Sequence, residues 1–359
     1  MKVAIRVDSS EQIGTGHLVR CLTLAKELRH QEAQVQFICR DLPRHLIHLL
    51  STAEFPVRVL PAPKSGGNSY EDYAAWLGVS QNTDATETLQ ALAGERPDWL
   101  ILDHYGLDRT WEQQLRPHVD RLFAIDDLAN RSHDCDGLLD QNESAEGESR
   151  YRGLVPVGCR LLVGARYALL RPEYATYRQV QPPRTGEVRR VFVFFGGTDL
   201  QNITGKVIEA LSSPEFEAMT VDVVVGATNP HRAKLEQQAA GRSRIVLHYY
   251  RSHLADLMAQ ADLAVGAGGT TTWERCCLGL PTLVVSVAKN QVSACQELDQ
   301  LGVIVYTGSM KSVDAAKLQY AIAQLIKTKE KLVAIAKRGQ TLVDGLGTKR
   351  VSSFLFERN

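Results

Sequence analysis

Arg6-Val7-Asp8-Ser9-Ser10-Glu11-Gln12-Ile13-Gly14-Thr15-Gly16-His17-Leu18-Val19-Arg20-Cys21-Leu22 is the stretch on which the reading of this chain turns. The apolar run from Val3 to Val7 predicts a buried strand, followed by a polar turn and a glycine-bracketed bend. Leu18, Leu22, Ala25 and Leu28 then recur at helical spacing, so a helix is expected through Glu27. His17 stands at the start of that helix, where the partial positive charge of unpaired amides disfavours an imidazolium and attracts anions. A neutral imidazole is the form a general base needs. Gly14 and Gly16 let the backbone approach a ligand, and Arg20, three residues further on, faces the same space as His17. Asp8, at the carboxyl end of the strand, is placed either to hold the imidazole tautomer or to bind a sugar hydroxyl. An ordinary strand-to-helix turn capped by His17 would use the same residues, so the rest of the chain has to decide. Cys21 invites a nucleophile reading, although a cysteine at the apolar edge of a helix more often packs than reacts.

Outward from this stretch the first half alternates strands and helices. Strands are expected at Gln34 to Cys39, Phe55 to Leu60, Trp99 to Asp103 and Leu122 to Ile125, with helices near Leu42 to Leu50 and from Tyr70 through Leu92. Pro61 to Ser69 reads as a mobile loop. The alternation implies a parallel sheet, and ligands of such sheets bind outside the carboxyl ends of the strands. Asp8, His17, Asp103, Tyr105, Asp126 and Asp127 are therefore expected along one edge. The acidic segment Asp126 to Asp140 is interleaved with Arg131 and His133 and lacks calcium-loop spacing.

Arg171 to Arg190, with Pro172, Pro182, Pro183 and Gly186, reads as a linker. A second α/β unit begins at Val191-Phe192-Val193-Phe194-Phe195, apolar enough for a central parallel strand, and turns at Gly196-Gly197-Thr198-Asp199. A helix at Asn202 to Leu211, strands at Val221 to Val225 and Ile245 to Tyr249, and a helix at Ser252 to Ala261 follow. The second informative stretch is Leu263-Ala264-Val265-Gly266-Ala267-Gly268-Gly269-Thr270-Thr271-Thr272-Trp273-Glu274. A strand runs into small residues and then into a threonine-opened helix whose free amides and hydroxyls suit a diphosphate. Glu274, one turn in, suits two ribose hydroxyls. A glycine turn with Glu274 as helix-start charge is the plainer alternative. Thr282 to Val287 is the next strand and leads to Lys289-Asn290-Gln291. The organisation expected is an α/β domain over 1–170, a linker over 171–190, an α/β nucleotide domain over 191–345 and a tail over 346–359 that packs back on the first domain.

Basic and acidic residues balance at 41 each, so no global field attracts nucleic acid or an anionic membrane. No apolar run approaches the ~18 residues that cross a bilayer, and Arg6 and Asp8 interrupt any signal-like segment. A soluble cytoplasmic protein without membrane insertion is expected. The seven cysteines are scattered, odd in number and free of C-x-x-C spacing, which implies reduced thiols rather than a disulfide or zinc framework. Neither a G-x-x-x-x-G-K-[ST] loop nor a G-x-G-x-x-G fingerprint is present, so ATPase and dinucleotide readings are weak.

Two such domains, with a nucleotide segment in the second and Gly-x-Gly-His in the first, resemble the GT-B architecture: two Rossmann-like domains facing across a cleft. More closely, the chain resembles the UDP-2,4-diacetamido-2,4,6-trideoxy-β-L-altropyranose hydrolase family of pseudaminic acid biosynthesis. The resemblance rests on Arg6 to Leu22, Asp103-His104-Tyr105-Gly106-Leu107-Asp108, Ile125-Asp126-Asp127-Leu128-Ala129 with Arg131, Leu139-Asp140-Gln141-Asn142, Phe195-Gly196-Gly197 with Asp199, and Gly268 to Asn290. These blocks span most of positions 3 to 291, and the first and last are the specific ones.

The resemblance implies hydrolysis of the anomeric C–O bond of a UDP-linked 2,4-diacetamido sugar, with His17 as the general base. It implies Gly268, Gly269 and Thr270 at the diphosphate, Glu274 at the ribose, Asn290 near the sugar or phosphate, and Tyr105 beside the sugar or the catalytic water. Asp8, Gly14, Gly16, Arg20, Gly196, Gly197 and Gln291 complete the expected substrate contacts. UDP is already a good leaving group, so the remaining task is activating water; imidazole, which titrates near ~6.5, suits it, and such help is worth roughly 10²–10⁴ in rate. No metal and no cofactor are expected, and a monomer acting on a small UDP-sugar is. The alternative is a GT-B glycosyltransferase passing the sugar to an acceptor. An altropyranose and a bacillosamine-type sugar remain open as substrates.

Overall fold

The computed structural model describes residues 1–9, 13–40, 50–62, 73–249, 251 and 253–357. They fall into two compact units, one of Met1–Leu169 with the segment from Leu346 onward, the other of Leu170–Gly345. The helix expected near Leu42 to Leu50 and most of the Pro61 to Ser69 loop lie outside the described residues.

The first unit runs β1 (Lys2–Val7), α1 (Gly16–His30), β2 (Gln34–Cys39), β3 (Val57–Val59), α2 (Gln81–Leu92), β4 (Trp99–Asp103), α3 (Arg109–Leu115), β5 (Arg121–Ile125), β6 (Gly137–Asp140) and β7 (Arg160–Val163). All strands are parallel, in the order β3-β2-β1-β4-β5-β6-β7. Because side chains alternate along a strand, Val3, Ile5 and Val7 share one face and pack with Leu18, Leu22 and Leu28 of α1. The helix Gly347–Phe356 completes this layer: Val351 and Leu355 are buried in the same cluster, and the Trp99 indole N–H donates to the Leu355 carbonyl at 2.8 Å. On the opposite face Ala4 packs with Leu100, Leu102 and Trp111.

Arg6 points to that second face and is fully buried, a position that only paired charge makes tolerable. Its guanidinium grips Asp8 at 2.6 and 2.8 Å and Asp84 of α2 at 2.7 and 3.1 Å. Asp84 also accepts from Arg40 at 2.8 Å and from the Trp111 indole at 2.9 Å.

The second unit comprises α4 (Pro172–Val180), β8 (Arg190–Phe194), α5 (Ile203–Leu211), β9 (Thr220–Val225), α6 (Arg232–Ala239), β10 (Ile245–Tyr249), α7 (Ala255–Gln260), β11 (Leu263–Ala267), α8 (Thr271–Cys277), β12 (Thr282–Ser286), α9 (Gln291–Gln300), β13 (Val305–Ser309), α10 (Ala315–Ile326) and α11 (Lys329–Leu342). Its parallel strands lie in the order β10-β9-β8-β11-β12-β13. Both faces are covered, which is why Val191-Phe192-Val193 and Leu283-Val284-Val285 read as unbroken apolar runs.

Three expectations need correction. The segment Arg171 to Arg190 is not merely a linker: Pro172 opens α4, whose Arg178 Nη1 donates to the Cys277 and Val343 carbonyls at 3.2 and 3.1 Å within the second unit. Proline suits the first turn of a helix, where its missing N–H costs nothing. The acidic Asp126 to Asp140 segment ends in a strand, β6, and β7 follows without having been expected. Tyr70 to Leu92 is not one helix; it contains a 3₁₀ turn at Ala75–Leu77, and α2 starts only after Ser80, whose hydroxyl accepts from Thr83 N–H at 3.1 Å. Among the described residues no helix is long and apolar enough to cross a membrane.

In each sheet the chain reverses direction of travel at one place, between β1 and β4 in the first unit and between β8 and β11 in the second. Such switch points leave a crevice at the carboxyl ends of the strands, where ligands bind.

Candidate functional site

At the first switch point Val7 of β1 is in register with Asp103, the last residue of β4. The turn after β1 passes through Gly14 at φ 77°, a backbone conformation that side chains resist, and the Ser9 hydroxyl donates to the Gly14 carbonyl at 2.6 Å. This delivers His17 into the first turn of α1, 7% exposed, with Nδ1 2.6 Å from Asp103 Oδ1. Arg20, one turn on, donates Nε to Asp103 Oδ2 at 2.7 Å, Nη2 to Asp103 Oδ1 at 2.6 Å and Nη1 to Asp127 Oδ2 at 2.8 Å. Burial alone would raise the Asp103 carboxyl, but Arg20 and then His17 hold it well below the usual carboxylate range.

An ionised Asp103 can only accept, so Nδ1 of His17 carries a proton, and in the neutral imidazole the lone pair lies on Nε2. Arg20 Nη2 also lies 3.1 Å from Nδ1, but both atoms then bear hydrogens and each points at Asp103 instead. The result is an oriented imidazole with its basic nitrogen directed away from the carboxylate.

Two expected roles change, and Cys21 packs as expected. Asp8 does not hold the imidazole: Arg6, the Arg40 N–H at 2.6 Å and His104 Nε2 at 3.6 Å surround its carboxylate, and it is buried to 1% exposure, out of reach of a ligand. Arg20 is turned inward, its donors committed to Asp103 and Asp127, so it holds the carboxylate that orients the His17 ring. Cys21 is no nucleophile, because burial and then Asp103 push its thiol well above the usual range and Sγ–H donates to Asp103 Oδ2 at 3.3 Å.

Tyr105 stands edge-on to the His17 ring, with centroids 4.6 Å apart. Burial, and then Asp127, raise its phenol, which therefore stays protonated. Tyr73 and Trp76 pack around Tyr105 at 5.1 and 5.9 Å. Sequence reasoning passed over both, because they read as ordinary apolar positions of the helix expected from Tyr70 through Leu92. Asp126 serves the loop itself, accepting from the Leu128 and Ala129 amides and from Arg131.

At the second switch point Phe194 pairs with Gly266, so the turns after β8 and β11 are neighbours. Gly196 has φ 90° and open space around it, and the Gly197 carbonyl accepts from Thr228. Asp199 caps α5 by accepting from the Ile203 and Thr204 amides at 2.9 Å. Gly268 packs so tightly that a Cβ there would lie 2.2 Å from Cys295 Sγ. Gln291 Oε1 accepts from Val287 N–H at 2.9 Å, which turns its amide N–H₂ toward Gly269. Gly268, Gly269, Thr270 and Gln291 thus meet in one corner, and Asn290 occupies the N-cap position of α9 beside it.

Glu274 is half-buried one turn into α8, with the Tyr174 phenol against its carboxyl. Burial raises its carboxyl, with Arg171 and then the Tyr174 hydroxyl acting against the rise. Arg275, which the sequence reading did not single out, is 1% exposed; Nη2 donates to the Ala267 carbonyl at 2.6 Å and the Thr272 hydroxyl at 2.9 Å. Gly266 leaves room for it, since a Cβ there would fall 2.2 Å from Nη1. Burial lowers this guanidinium to about 10, which leaves it charged at neutral pH beneath the glycine turn. Among the described residues no group of three or more His, Cys, Asp or Glu is arranged to hold a metal ion.

Residues 191–346 match the family described as glycosyltransferase family 28 C-terminal domain. Over 303 residues the chain is 29% identical to the UDP-2,4-diacetamido-2,4,6-trideoxy-beta-L-altropyranose hydrolase of Campylobacter jejuni, covering 84% of this chain and 97% of that protein. It is 23% identical over 358 residues to the spore coat polysaccharide biosynthesis protein SpsG of Bacillus subtilis, covering 99% and 98%. Among solved structures, the S. aureus MnaA-UDP co-structure aligns with a TM-score of 0.66 at 13% identity, covering 98% of this chain and 94% of that one. The chain is thus a relative of the altropyranose hydrolase, with a match to the glycosyltransferase family 28 C-terminal domain in its second unit and a GT-B-like fold of two parallel-sheet α/β domains.

Proposed function

We propose that this chain hydrolyses the anomeric C–O bond of a UDP-linked 2,4-diacetamido-2,4,6-trideoxy sugar, releasing UDP and the free sugar. The observation that carries this reading is the Asp103-held His17, whose tautomer leaves Nε2 free to take a proton. Water attacks the anomeric carbon and passes a proton to Nε2, while the C–O bond breaks and its electron pair leaves with UDP. The ionised Asp103 stabilises the imidazolium that forms, and base catalysis of this kind contributes roughly 10²–10⁴ in rate. On this reading the second unit holds the nucleotide: Gly268, Gly269, Thr270 and Gln291 take the diphosphate, assisted by Arg275, and Glu274 accepts from the ribose hydroxyls. The position of Glu274 one turn into α8, just past the Gly268-Gly269-Thr270 turn, supports that role. The similarity to the Campylobacter hydrolase supports the sugar class, and on this reading the chain serves cytoplasmic pseudaminic acid synthesis for flagellin glycosylation.

The match to a glycosyltransferase domain favours a second reading, in which the sugar passes to an acceptor. The deciding experiment incubates the purified chain with the UDP-sugar and no acceptor in ¹⁸O-water. Release of UDP with label in the sugar supports hydrolysis, and label in the phosphate means P–O cleavage. Turnover that waits for an acceptor supports transfer. His17→Asn should abolish UDP release while UDP still binds; a near-normal rate in that variant overturns the base assignment.

A further inference from the structure

Beside the proposed base lies a group of rings that neither the packing of the sheet nor the reaction above accounts for. Tyr73 meets Trp76 edge-on at 4.7 Å, and both rings lie against Tyr105, which itself abuts His17. Tyr73 and Trp76 are only half-buried, in the stretch Tyr73-Ala74-Ala75-Trp76-Leu77 that makes the 3₁₀ turn before α2. Trp76 differs in this from the other tryptophans of the chain: Trp99, Trp111 and Trp273 are 1%, 0% and 3% exposed. Large aromatics gain most from full burial, and their faces favour C–H groups and methyls. The polar boundary of the corner is Asp127, held by Arg20 at 2.8 Å and raising the phenols of both Tyr73 and Tyr105 after burial itself. The corner therefore offers an apolar wall, a carboxylate edge and the base within a few ring widths of one another.

We infer that Tyr73 and Trp76 form the wall that receives the methyl-bearing edge of a 6-deoxy sugar, and that Trp76 determines specificity by disfavouring a 6-hydroxymethyl group. The inference rests on the sugar reaching His17 as proposed above. A C6 hydroxyl pressed against ring faces would lose water without gaining a hydrogen-bond partner, whereas a methyl gains contact. Selection by an unpaired hydroxyl is stronger than selection by a missing methylene, so the wall discriminates mainly by exclusion.

The test uses the full chain and two free sugars that differ only at C6, 2-acetamido-2,6-dideoxyglucose and 2-acetamido-2-deoxyglucose. Because Trp76 is the solvent-accessible tryptophan, binding is read from tryptophan emission and its quenching by acrylamide. The 6-deoxy sugar should shift the emission and protect it, with about tenfold tighter binding than the hydroxymethyl sugar. Trp76→Phe should lose the spectral signal yet keep the preference, measured by ligand-observed NMR, and Trp76→Ala should lose the preference. With the UDP-linked substrate, Trp76→Ala should raise KM about tenfold while affinity for UDP alone stays as in the wild type. Equal binding of the two free sugars, or a Trp76→Ala chain that keeps the preference, overturns the inference. Absence of UDP release from any UDP-sugar by the wild type would instead overturn the hydrolase reading, and the free-sugar titration would still decide the role of the wall.

Discussion

Asp103 Oδ1 lies 2.6 Å from His17 Nδ1, joining residues 86 positions apart in the chain. An amide in place of the carboxylate would offer N–H₂ to the imidazole and stabilise the opposite tautomer, with its proton on Nε2. Asp103→Asn should therefore lower kcat by roughly 10²–10⁴ while KM changes little. Single-turnover UDP release checks this, with circular dichroism to confirm folding because Arg20 loses a partner. A variant within a few-fold of wild type would show that the tautomer does not matter.

Glu274→Gln keeps the shape of the side chain and removes its charge. Affinity for UDP should fall roughly ten- to hundredfold, as expected for charge-assisted bonds to hydroxyls. Calorimetry with UDP and with 2′-deoxy-UDP makes the test specific: the wild type should prefer UDP, and the variant should bind the two about equally.

Asp84 is fully buried and compensates two guanidiniums, those of Arg6 and Arg40, besides accepting from Trp111. Asp84→Ala leaves those cations buried and under-compensated, so a loss of about 3–5 kcal/mol in unfolding free energy is expected. Urea denaturation followed by fluorescence measures it; a loss below about 1 kcal/mol would mean that water reaches the arginines.

Stability should also respond to acid through His104. Burial pushes this imidazole down to about 4 against the pull of Asp8, and the Gly106 N–H at 2.9 Å from Nδ1 favours the neutral form. In the unfolded chain a histidine titrates near ~6.5, so between that pH and 4 the unfolded state binds the extra proton and stability falls as pH falls. His133 has the opposite sign. Asp126 and Glu112 overcome burial and raise it to about 9, so its contribution is full below ~6.5 and is lost as pH rises through 9. His104→Gln should flatten the acid side of a stability profile built from urea midpoints, whereas superimposable slopes for variant and wild type would remove His104 from the account.

Cysteine reactivity gives a further check. Cys159 is half-exposed and the other six thiols are buried. Iodoacetamide should label Cys159 alone on the native chain, as peptide mass spectrometry would show, and Cys21→Ser should keep turnover within a few-fold. Loss of activity in that variant with the fold intact would revive the nucleophile reading.

What was legible in the sequence was whatever depends on neighbours along the chain. β2, β4 and β10 coincide with the runs Gln34 to Cys39, Trp99 to Asp103 and Ile245 to Tyr249: β4 is buried throughout and nearly all apolar, and the other two are rich in the branched and aromatic residues that suit strands. β6 escaped because four residues, Gly137 to Asp140, are too few to show a pattern and sit among aspartates. The placement of His17 at a helix start was readable, but its partner was not. Asp8 is close in sequence and Asp103 distant, and only the parallel register of β1 and β4 brings the distant one alongside. Arg6 then claims Asp8 for the core, a pairing that nothing in local spacing reveals.

The Trp99–Leu355 hydrogen bond has a consequence for how the molecule is made. The first unit takes its closing helix from residues 347–356, so its sheet leaves the ribosome long before the last piece of its covering layer. The second unit, drawn from one unbroken segment, can finish while the first still exposes Trp99 and Phe123. Nascent chains halted before residue 347 should therefore engage chaperones through the earlier-born half.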